Sequence, residues 1–344
     1  MHSVSTVPVP LAARDAGQRL RSSLIGLVAV ALVTGFAFVG SGYQLFQATM
    51  VMVYAIALLG LNILTGYNGQ ISLGHGAFFA IGAYCAAILM ERLSMPYWAT
   101  LPAAALACGL VGYAVGWPAL KLEGIYLALA TFALGTATPQ LLKFRKLEPL
   151  TGGAQGLVLL KPDAPFGLPL NQDQWLYLFV FGVALLMFAI ARNLLDGRIG
   201  LALLAVRDHP TAATAMGVDV ARVKTAAFAV SAAYTGVAGA LGAIAVQFVA
   251  PDSFTMFLSI SLIVGIVAGG LASMSGAVWG AAFIHFIPNV AEKVSKAAPW
   301  AIYGVMLIVF VMLLPQGVAG ALQRARAAWQ RRRRPAGAGH RAGH

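Results

Sequence analysis

The chain has 344 residues, of which 60% are hydrophobic and 10% are charged, and its mean hydropathy is +0.81. Soluble domains carry about 25% charged residues, so this composition excludes an ordinary soluble protein and indicates a chain whose apolar surface faces lipid. The formal net charge of +12 does not indicate a nucleic-acid-binding protein. The densest basic run, 331–334, follows the last apolar segment, where arginines act as a topology signal or bind anionic lipid.

Ten apolar segments are candidates for membrane spans, since a helix needs about 20 apolar residues to cross a bilayer. The sequence therefore predicts an all-α integral membrane protein, a polytopic bundle of about eight to ten transmembrane helices with a cytoplasmic helical segment. The predicted spans are 23–40, 44–65, 71–90, 98–117, 125–142, 174–191, 225–249, 256–272, 276–290 and 300–316.

Lysine and arginine residues predict the orientation of these spans, because short cytoplasmic loops carry an excess of them. With both ends in the cytoplasm, the cytoplasmic side holds 16 of these residues and the opposite side holds 7. We therefore predict that both termini are cytoplasmic. The resulting divisions are an N-terminal segment 1–22, a transmembrane domain 23–322 with an external loop 143–173 and an internal segment 192–224, and a basic tail 323–344.

The segment 66–76, GYNGQISLGHG, lies between the second and third predicted spans and holds four glycines. Glycine weakens a helix, and irregular backbone at membrane depth is tolerated only where it is buried in protein or lines a wet cavity. Two interpretations stay open: a cavity-lining or re-entrant element on a solute path, and an interfacial loop that caps the third span. For the histidine, a packed neutral imidazole is expected more than a titrating group. The polar residues that could meet a solute are Asn68, Gln70, Ser72 and His75, with Tyr126 and Thr131 behind them.

Glycines also recur at helix-pairing spacing in the two spans after residue 255. Pairs of small residues four positions apart let two membrane helices pack closely. The glycines expected at such a seam are Gly265 and Gly269, followed by Gly276 and Gly280.

The internal segment 192–224 has an amphipathic pattern that is broken at Pro210. This pattern predicts a short helix pair, apolar toward the membrane domain and charged outward. Such a pair could dock another protein or lie on lipid as an interfacial helix. The residues expected to face inward are Leu201, Leu204 and Ala205 before the break and Ala212, Ala213, Met216 and Val220 after it.

The sequence lacks the motifs of several common catalytic and ligand-binding sites. It contains no GxxxxGK[ST] phosphate loop, no metal-ligand spacing and no credible catalytic triad, so the chain is not expected to be an enzyme. The predicted spans contain no Asp or Glu, which argues against a proton relay or a carboxylate site for sodium.

Residues 64–89, LTGYNGQISLGHGAFFAIGAYCAAIL, resemble the signature of the branched-chain amino acid permease family of ABC importers, in its LivM-type branch. Further motifs follow in the family's order: 124–131, the glycine motif 151–153, and the segment 197–241 that resembles the family's cytoplasmic coupling segment and its next helix. The resemblance covers roughly residues 25–322, and several motifs in order are more specific than any one of them.

The resemblance implies a division of labour. A homologous, LivH-like permease chain would complete the membrane pathway, two cytoplasmic ATPase subunits would use the ATP, and an extracytoplasmic binding protein would deliver solute to the external loop. This chain would bind no cofactor and would lie in the bacterial inner membrane. The residues implied in coupling to the ATPases are Arg198, Arg207, Asp208, Ala212, Ala213 and Gly217.

The chain departs from the general coupling motif of importers, Glu-Ala-Ala-x-x-x-Gly, in one place. Thr211 precedes Ala212 and Ala213 where the motif has its glutamate, so the resemblance implies docking without that specific salt bridge. The sequence leaves two alternatives to a branched-chain amino acid importer: the same machine serving urea or short-chain amides, and a stand-alone channel or secondary carrier.

Overall fold

The computed structural model describes residues 28–324, except for residues 29, 121, 123, 295–298, 315 and 323. The predicted segment 1–22 and nearly all of the basic tail lie outside the described residues. The described chain is almost wholly helical, as the sequence predicts. Its α-helices are α1 Val30–Val39, α2 Gly42–Asn62, α3 His75–Leu93, α4 Tyr97–Ala119, α5 Ile125–Leu142, α6 Glu148–Thr151, α7 Gln172–Asp196, α8 Arg198–Asp208, α9 Pro210–Ala215, α10 Val220–Val246, α11 Met256–Gly269, α12 Met274–Val294 and α13 Pro299–Leu313.

Each of the ten predicted spans overlaps a helix over the residues that the structure describes. Among the described residues, seven helical segments are long and apolar enough to cross a membrane. The remaining three predicted spans correspond to α1, α12 and α13. The all-α, polytopic fold class is therefore confirmed. The seven segments are Gly42–Tyr67, His75–Leu93, Tyr97–Ala119, Ile125–Leu142, Gln172–Asp196, Val220–Val246 and Pro251–Gly269.

Helix α10 is the centre of the bundle and packs against α2, α3 and α4. Glycine makes these crossings close: a Cβ on Gly82 of α3 would lie 2.1 Å from the carbonyl oxygen of Gly236, and one on Gly239 would lie 2.0 Å from that of Phe79. No larger residue fits such a crossing without moving a helix, which is the usual reason for small residues between membrane helices.

Helices α11 and α12 form a second close pair, a hairpin. A Cβ on Gly269 would lie 1.9 Å from the carbonyl oxygen of Gly276, and a Cβ on Gly280 would lie 2.0 Å from that of Gly265. The four glycines that the sequence places at a helix seam thus all lie in this contact. The turn between the two helices includes Ala272 with a positive φ of 54°.

The two ends of the bundle differ. At one end, here the β1 end, strand β1 Leu157–Val158 pairs antiparallel with β2 Phe248–Val249, and Lys143 forms an ion pair with Asp252. The connection 143–173 is folded onto this end. At the opposite end, here the α8 end, helices α8 and α9 precede α10, and α8 lies beside the turn that follows α2.

The predicted inward face of the helix pair is partly wrong. Leu203 and Val206 are buried on α8, whereas Leu201 is 68% exposed and Met216, after α9, is 84% exposed. Ala213 is buried, as predicted. Apolar residues occur on more than one side of α8, so helical spacing alone does not choose the buried side, and contacts with α10 and the end of α2 do.

Candidate functional site

The glycine-rich segment between α2 and α3 is folded into the interior. Helix α2 continues as a π-helical turn, Ile63–Tyr67, after which the backbone is irregular until α3 begins at His75. The predicted third span, 71–90, therefore begins four residues before the helix does. Asn68, Ser72 and His75 are at most 2% exposed, so these polar side chains are enclosed by protein, as irregular backbone at membrane depth must be.

The imidazole of His75 is held by two hydroxyl groups. Its Nδ1 lies 2.9 Å from Ser72 Oγ, and its Nε2 lies 2.7 Å from Ser231 Oγ of α10. Ser231 donates its single hydroxyl proton to the carbonyl of Gly60 at 2.6 Å, so it must accept from Nε2–H while Nδ1 accepts from Ser72. This pattern fits a neutral ring that packs three segments together.

Hydroxyl groups from two more helices hold the start of α3. Thr131 Oγ1 of α5 accepts from the backbone N–H of Leu73 at 2.9 Å, and Ser259 Oγ of α11 accepts from that of Gly76, also at 2.9 Å. The first N–H groups of a helix have no partner within it, so outside acceptors are needed when that end is buried. Sequence reasoning missed Ser231 and Ser259, whose only signal was a hydroxyl group inside an apolar span.

Asn68 and Gln70 occupy a different place, toward the α8 end. Asn68 Nδ2 donates to Gln70 Oε1 at 2.7 Å, while Asn68 Oδ1 is buried and accepts no hydrogen bond from the described residues. Both residues line a cavity of about 200 Å³ whose wall also includes Arg207 and Lys224. Of the predicted solute-contact residues, Ser72, His75 and Thr131 thus form one cluster, and Asn68 with Gln70 faces this cavity.

Tyr126 does not join either group. It is 68% exposed on the outer side of α5, although Thr131 on the same helix is buried. The residues predicted to couple to ATPases lie mostly on the surface of the α8 end: Arg198, Asp208, Ala212 and Gly217 are exposed, and Ala213 is buried.

Among the residues predicted to couple to ATPases, Arg207 is bonded to the buried segment that follows α2. Its Nη1 donates to the carbonyl oxygen of Gly66 at 2.9 Å, and its Nε pairs with Asp208 Oδ1, also at 2.9 Å. Gly69, with φ +75°, packs so closely on the arginine that a Cβ would lie 2.9 Å from Arg207 Cγ. Helix α8 is therefore bonded directly to the segment that carries the buried polar side chains.

Helix α5 has an exposed face unlike those of its neighbours. The exposed faces of α4 and α7 carry large apolar side chains such as Leu106, Leu110 and Leu186, which suit lipid. On α5, most of the exposed residues between its ends are small or polar, and those suit contact with protein or with a wet path, whereas Ile125 and Leu141 expose large apolar side chains at its two ends. The exposed residues of α5 between positions 129 and 140 are Leu129, Ala130, Ala133, Thr136, Ala137 and Gln140.

Comparison with known proteins decides the family. The sequence model of the family described as "Branched-chain amino acid transport system / permease component" matches residues 43–314. The chain belongs to this family. The match covers most of the region in which the sequence motifs resemble branched-chain amino acid permeases, so that resemblance is confirmed.

Curated relatives of this permease agree with the family. The chain is 29% identical to the high-affinity branched-chain amino acid transport system permease protein LivM of Escherichia coli K12, over 92% of this chain and 79% of that protein. LivM of Salmonella typhimurium is likewise 29% identical, over 88% and 76%. A probable LivH permease of Methanocaldococcus jannaschii is 23% identical, over 80% and 92%. No solved structure matches the chain.

Proposed function

We propose that this permease is the membrane-spanning subunit of an ABC importer for branched-chain or similar small amino acids. It forms the solute pathway with a homologous permease chain and is driven by separate ATPase subunits. The observation that supports this most is the bond from Arg207 of α8 to the carbonyl of Gly66. It connects a helix on the surface to the polar interior, as a bundle driven by another protein requires.

The interior suits a zwitterion with an aliphatic side chain. The cavity at the α8 end offers the neutral amides of Asn68 and Gln70 beside the cationic side chains of Arg207 and Lys224. Such groups can bind the two charged ends of an amino acid. Broken membrane helices also present free N–H groups to carboxylates in other transporters. The relatives named above are branched-chain amino acid permeases by description, which supports leucine, isoleucine and valine as solutes.

The exposed face of α5 is where the second permease chain would pack. Its small residues allow close approach of another helix, and the amide of Gln140 would be costly against lipid. The 23% identity to LivH-type permeases is consistent with a homologous partner of this kind. The solute would then pass between the two chains, beside α5.

The ATPase subunits would bind the α8 end. Leu201 and Met216 are exposed apolar side chains there, flanked by Arg198 and Asp208. Exposed apolar residues with a charged rim are typical of protein interfaces. ATP is used by these partners, and the permease itself binds no cofactor in this proposal.

The extracytoplasmic binding protein would meet the β1 end. Connection 143–173 projects Val158 and Leu160, which are 72% and 85% exposed. In this proposal the α8 end and both termini lie in the cytoplasm, as the distribution of lysine and arginine residues predicts. The permease would then be a multi-pass protein of a bacterial inner membrane.

A urea or amide permease and a stand-alone carrier are not favoured. The matched family and the relatives are described as components of branched-chain amino acid transport. The stand-alone carrier would also leave the exposed faces of α5 and α8 without an explanation.

The substrate is tested by uptake in a bacterial strain that lacks its own branched-chain amino acid transport. The permease is expressed with its neighbouring permease, ATPase and binding-protein genes, and uptake of labelled leucine is competed with excess unlabelled solutes. Isoleucine and valine are expected to suppress uptake, whereas urea and acetamide are not. Suppression by urea and not by isoleucine would replace the proposed substrate and keep the mechanism.

A further inference from the structure

Asn62 bonds helix α2 to the turn of the α11–α12 hairpin. It is the last residue of α2 and is fully buried. Its Nδ2 donates to the carbonyl of Ser273 at 2.8 Å, and its Oδ1 accepts from the N–H of Ala272 at 2.9 Å. One amide group therefore satisfies two backbone groups of a turn that lies about 210 residues later in the chain, which fixes that turn in both directions.

Gly66 lies between this amide and Arg207. A Cβ on Gly66 would lie 2.0 Å from Asn62 Oδ1 and 2.5 Å from the backbone nitrogen of Ala272, so the π-helical turn touches both. The carbonyl oxygen of the same glycine accepts the hydrogen bond from Arg207. Contacts thus run without a gap from α8 through Gly66 and Asn62 to the turn between α11 and α12.

The turn between α11 and α12 is fixed to several helices. The hairpin is held together by its glycine seam, and its turn also touches the segment after α13, since a Cβ on Gly317 would lie 2.5 Å from the backbone nitrogen of Gly270. A displacement of the turn would therefore move two or three helices. The π-helical turn is the place where α2 departs from regular hydrogen bonding, and such turns are frequent at functional sites.

We infer that Asn62 is the positioning residue that makes the α11–α12 hairpin follow helix α8 during transport. When the ATPase subunits displace α8, Arg207 carries the Gly66 carbonyl with it, and the Asn62 amide carries the turn at Ala272 and Ser273. The inference rests on the proposed function, because it requires that partners drive α8. The inference adds that the α11–α12 hairpin responds to α8, and that Asn62 is the side chain that connects them. Contacts alone do not establish such a coupling, so it has to be measured.

The first test compares uptake of leucine with hydrolysis of ATP in proteoliposomes that hold the complete importer. Asn62→Ala and Arg207→Gln are each expected to lower the uptake per ATP hydrolysed at least about tenfold, a change of about 1.4 kcal/mol in coupling. The uptake per ATP of the double variant is expected to equal that of the single variant with the larger loss, since both changes interrupt one series of contacts. A proportional loss of uptake and hydrolysis, or effects that multiply, would overturn the inference.

Two control variants match these changes. Thr49→Val removes a buried polar group from the same helix, but within the described part of the chain the hydroxyl of Thr49 bonds to the carbonyl of Leu45 in α2 and to no other helix. Arg192→Gln removes an exposed arginine that forms an ion pair with Asp196. Both are expected to leave uptake per ATP near the wild-type value, and equal loss in the controls would overturn the role of Asn62. If the wild-type importer shows no ATP-dependent uptake at all, the proposed function fails instead.

The second test measures movement directly and does not depend on transport. Spin labels are attached to the complete complex at Ala205 on α8 and Val278 on α12, both exposed, with the native cysteines replaced by alanine. A reference pair joins Ala205 to Leu106 on α4. ATP is expected to change the reference distance and leave the Ala205–Val278 distance unchanged, because α8 and the hairpin move together. Asn62→Asp keeps the acceptor for Ala272 and loses the bond to Ser273, so that distance should then vary with nucleotide. A change in the wild type, or a reference distance that never changes, would overturn the inference.

Discussion

His75 and Ser231 lie 156 residues apart in the chain, and the imidazole Nε2 approaches the serine hydroxyl to 2.7 Å. This contact joins the start of α3 to α10, the helix at the centre of the bundle. The hydroxyl of Ser231 in turn donates a hydrogen bond to the carbonyl of Gly60 in α2. Three helices are thus bound at one point by a histidine and a serine, both of which are buried. The histidine of the glycine-rich segment is therefore a structural element of the interior.

Replacing His75 by alanine should destabilise the permease. The hydroxyl proton of Ser72 would lose its acceptor, and the hydroxyl of Ser231 would keep only its bond to Gly60. A buried polar group without a partner costs about 1–3 kcal/mol. Thermal unfolding of the detergent-solubilised protein should occur at a clearly lower temperature. Tyr126→Phe, on the exposed side of α5, serves as the control, and an unchanged unfolding temperature for His75→Ala would contradict the assigned hydrogen bonds.

The seam between α11 and α12 should not tolerate a methyl group. In Gly269→Ala the new Cβ would meet the carbonyl oxygen of Gly276 at 1.9 Å, so the helices must separate, at a cost of about 1–3 kcal/mol. Gly182→Ala in α7 is the matched change, because a Cβ there meets nothing within 4 Å. Gly269→Ala should therefore unfold at a lower temperature than Gly182→Ala. Equal stability would show that the hairpin is not packed through this seam.

The exposed face of α5 should be sensitive to bulk if it contacts a partner chain. Ala133→Trp adds a large ring at the middle of the small-residue face, and co-purification of the homologous permease should fall about tenfold or more. Leu186→Trp on α7 adds a similar ring to a face of large apolar residues and should be tolerated. If only Leu186→Trp lost the co-purifying permease, the contact would lie on α7 and not on α5.

The two ends of the bundle should bind different partners. Leu201→Asp puts a charge into the exposed apolar surface of the α8 end and should abolish binding of the ATPase subunits, while leaving binding of the solute-binding protein intact. Leu160→Asp at the β1 end should have the opposite pattern. Pull-down experiments measure the binding of each partner to each variant. If Leu201→Asp abolished binding of the solute-binding protein and Leu160→Asp that of the ATPases, the predicted orientation would be inverted.

The helices of this permease could be predicted because each one carries its own signal. Runs of apolar residues marked the spans, and the glycines from Gly265 to Gly280 marked a close seam through spacing alone. The start of α3 was placed four residues too early, because residues 71–74 are compatible with helix locally and are held out of it by acceptors on other helices. Hydrogen bonds to Thr131 and Ser259 decide where that helix begins.

Contacts between distant segments could not be predicted in the same way. Asn62 has no feature in the sequence that points to Ala272 and Ser273, and Ser231 has none that points to His75. The inward side of α8 was misassigned at Leu201 because two apolar stripes compete on a short helix, and only the bundle selects between them. Candidate polar residues were thus recognisable by type and position, whereas their grouping into a buried cluster and a cavity at the α8 end required the structure.

The most direct test of the central claim is an omission series in proteoliposomes. The permease is reconstituted with its partner permease, the ATPases and the binding protein, and uptake of labelled leucine is measured with ATP as each component is left out in turn. Uptake should require every component and ATP. Uptake of leucine by this chain alone, without ATP or partners, would contradict the account and identify a stand-alone carrier.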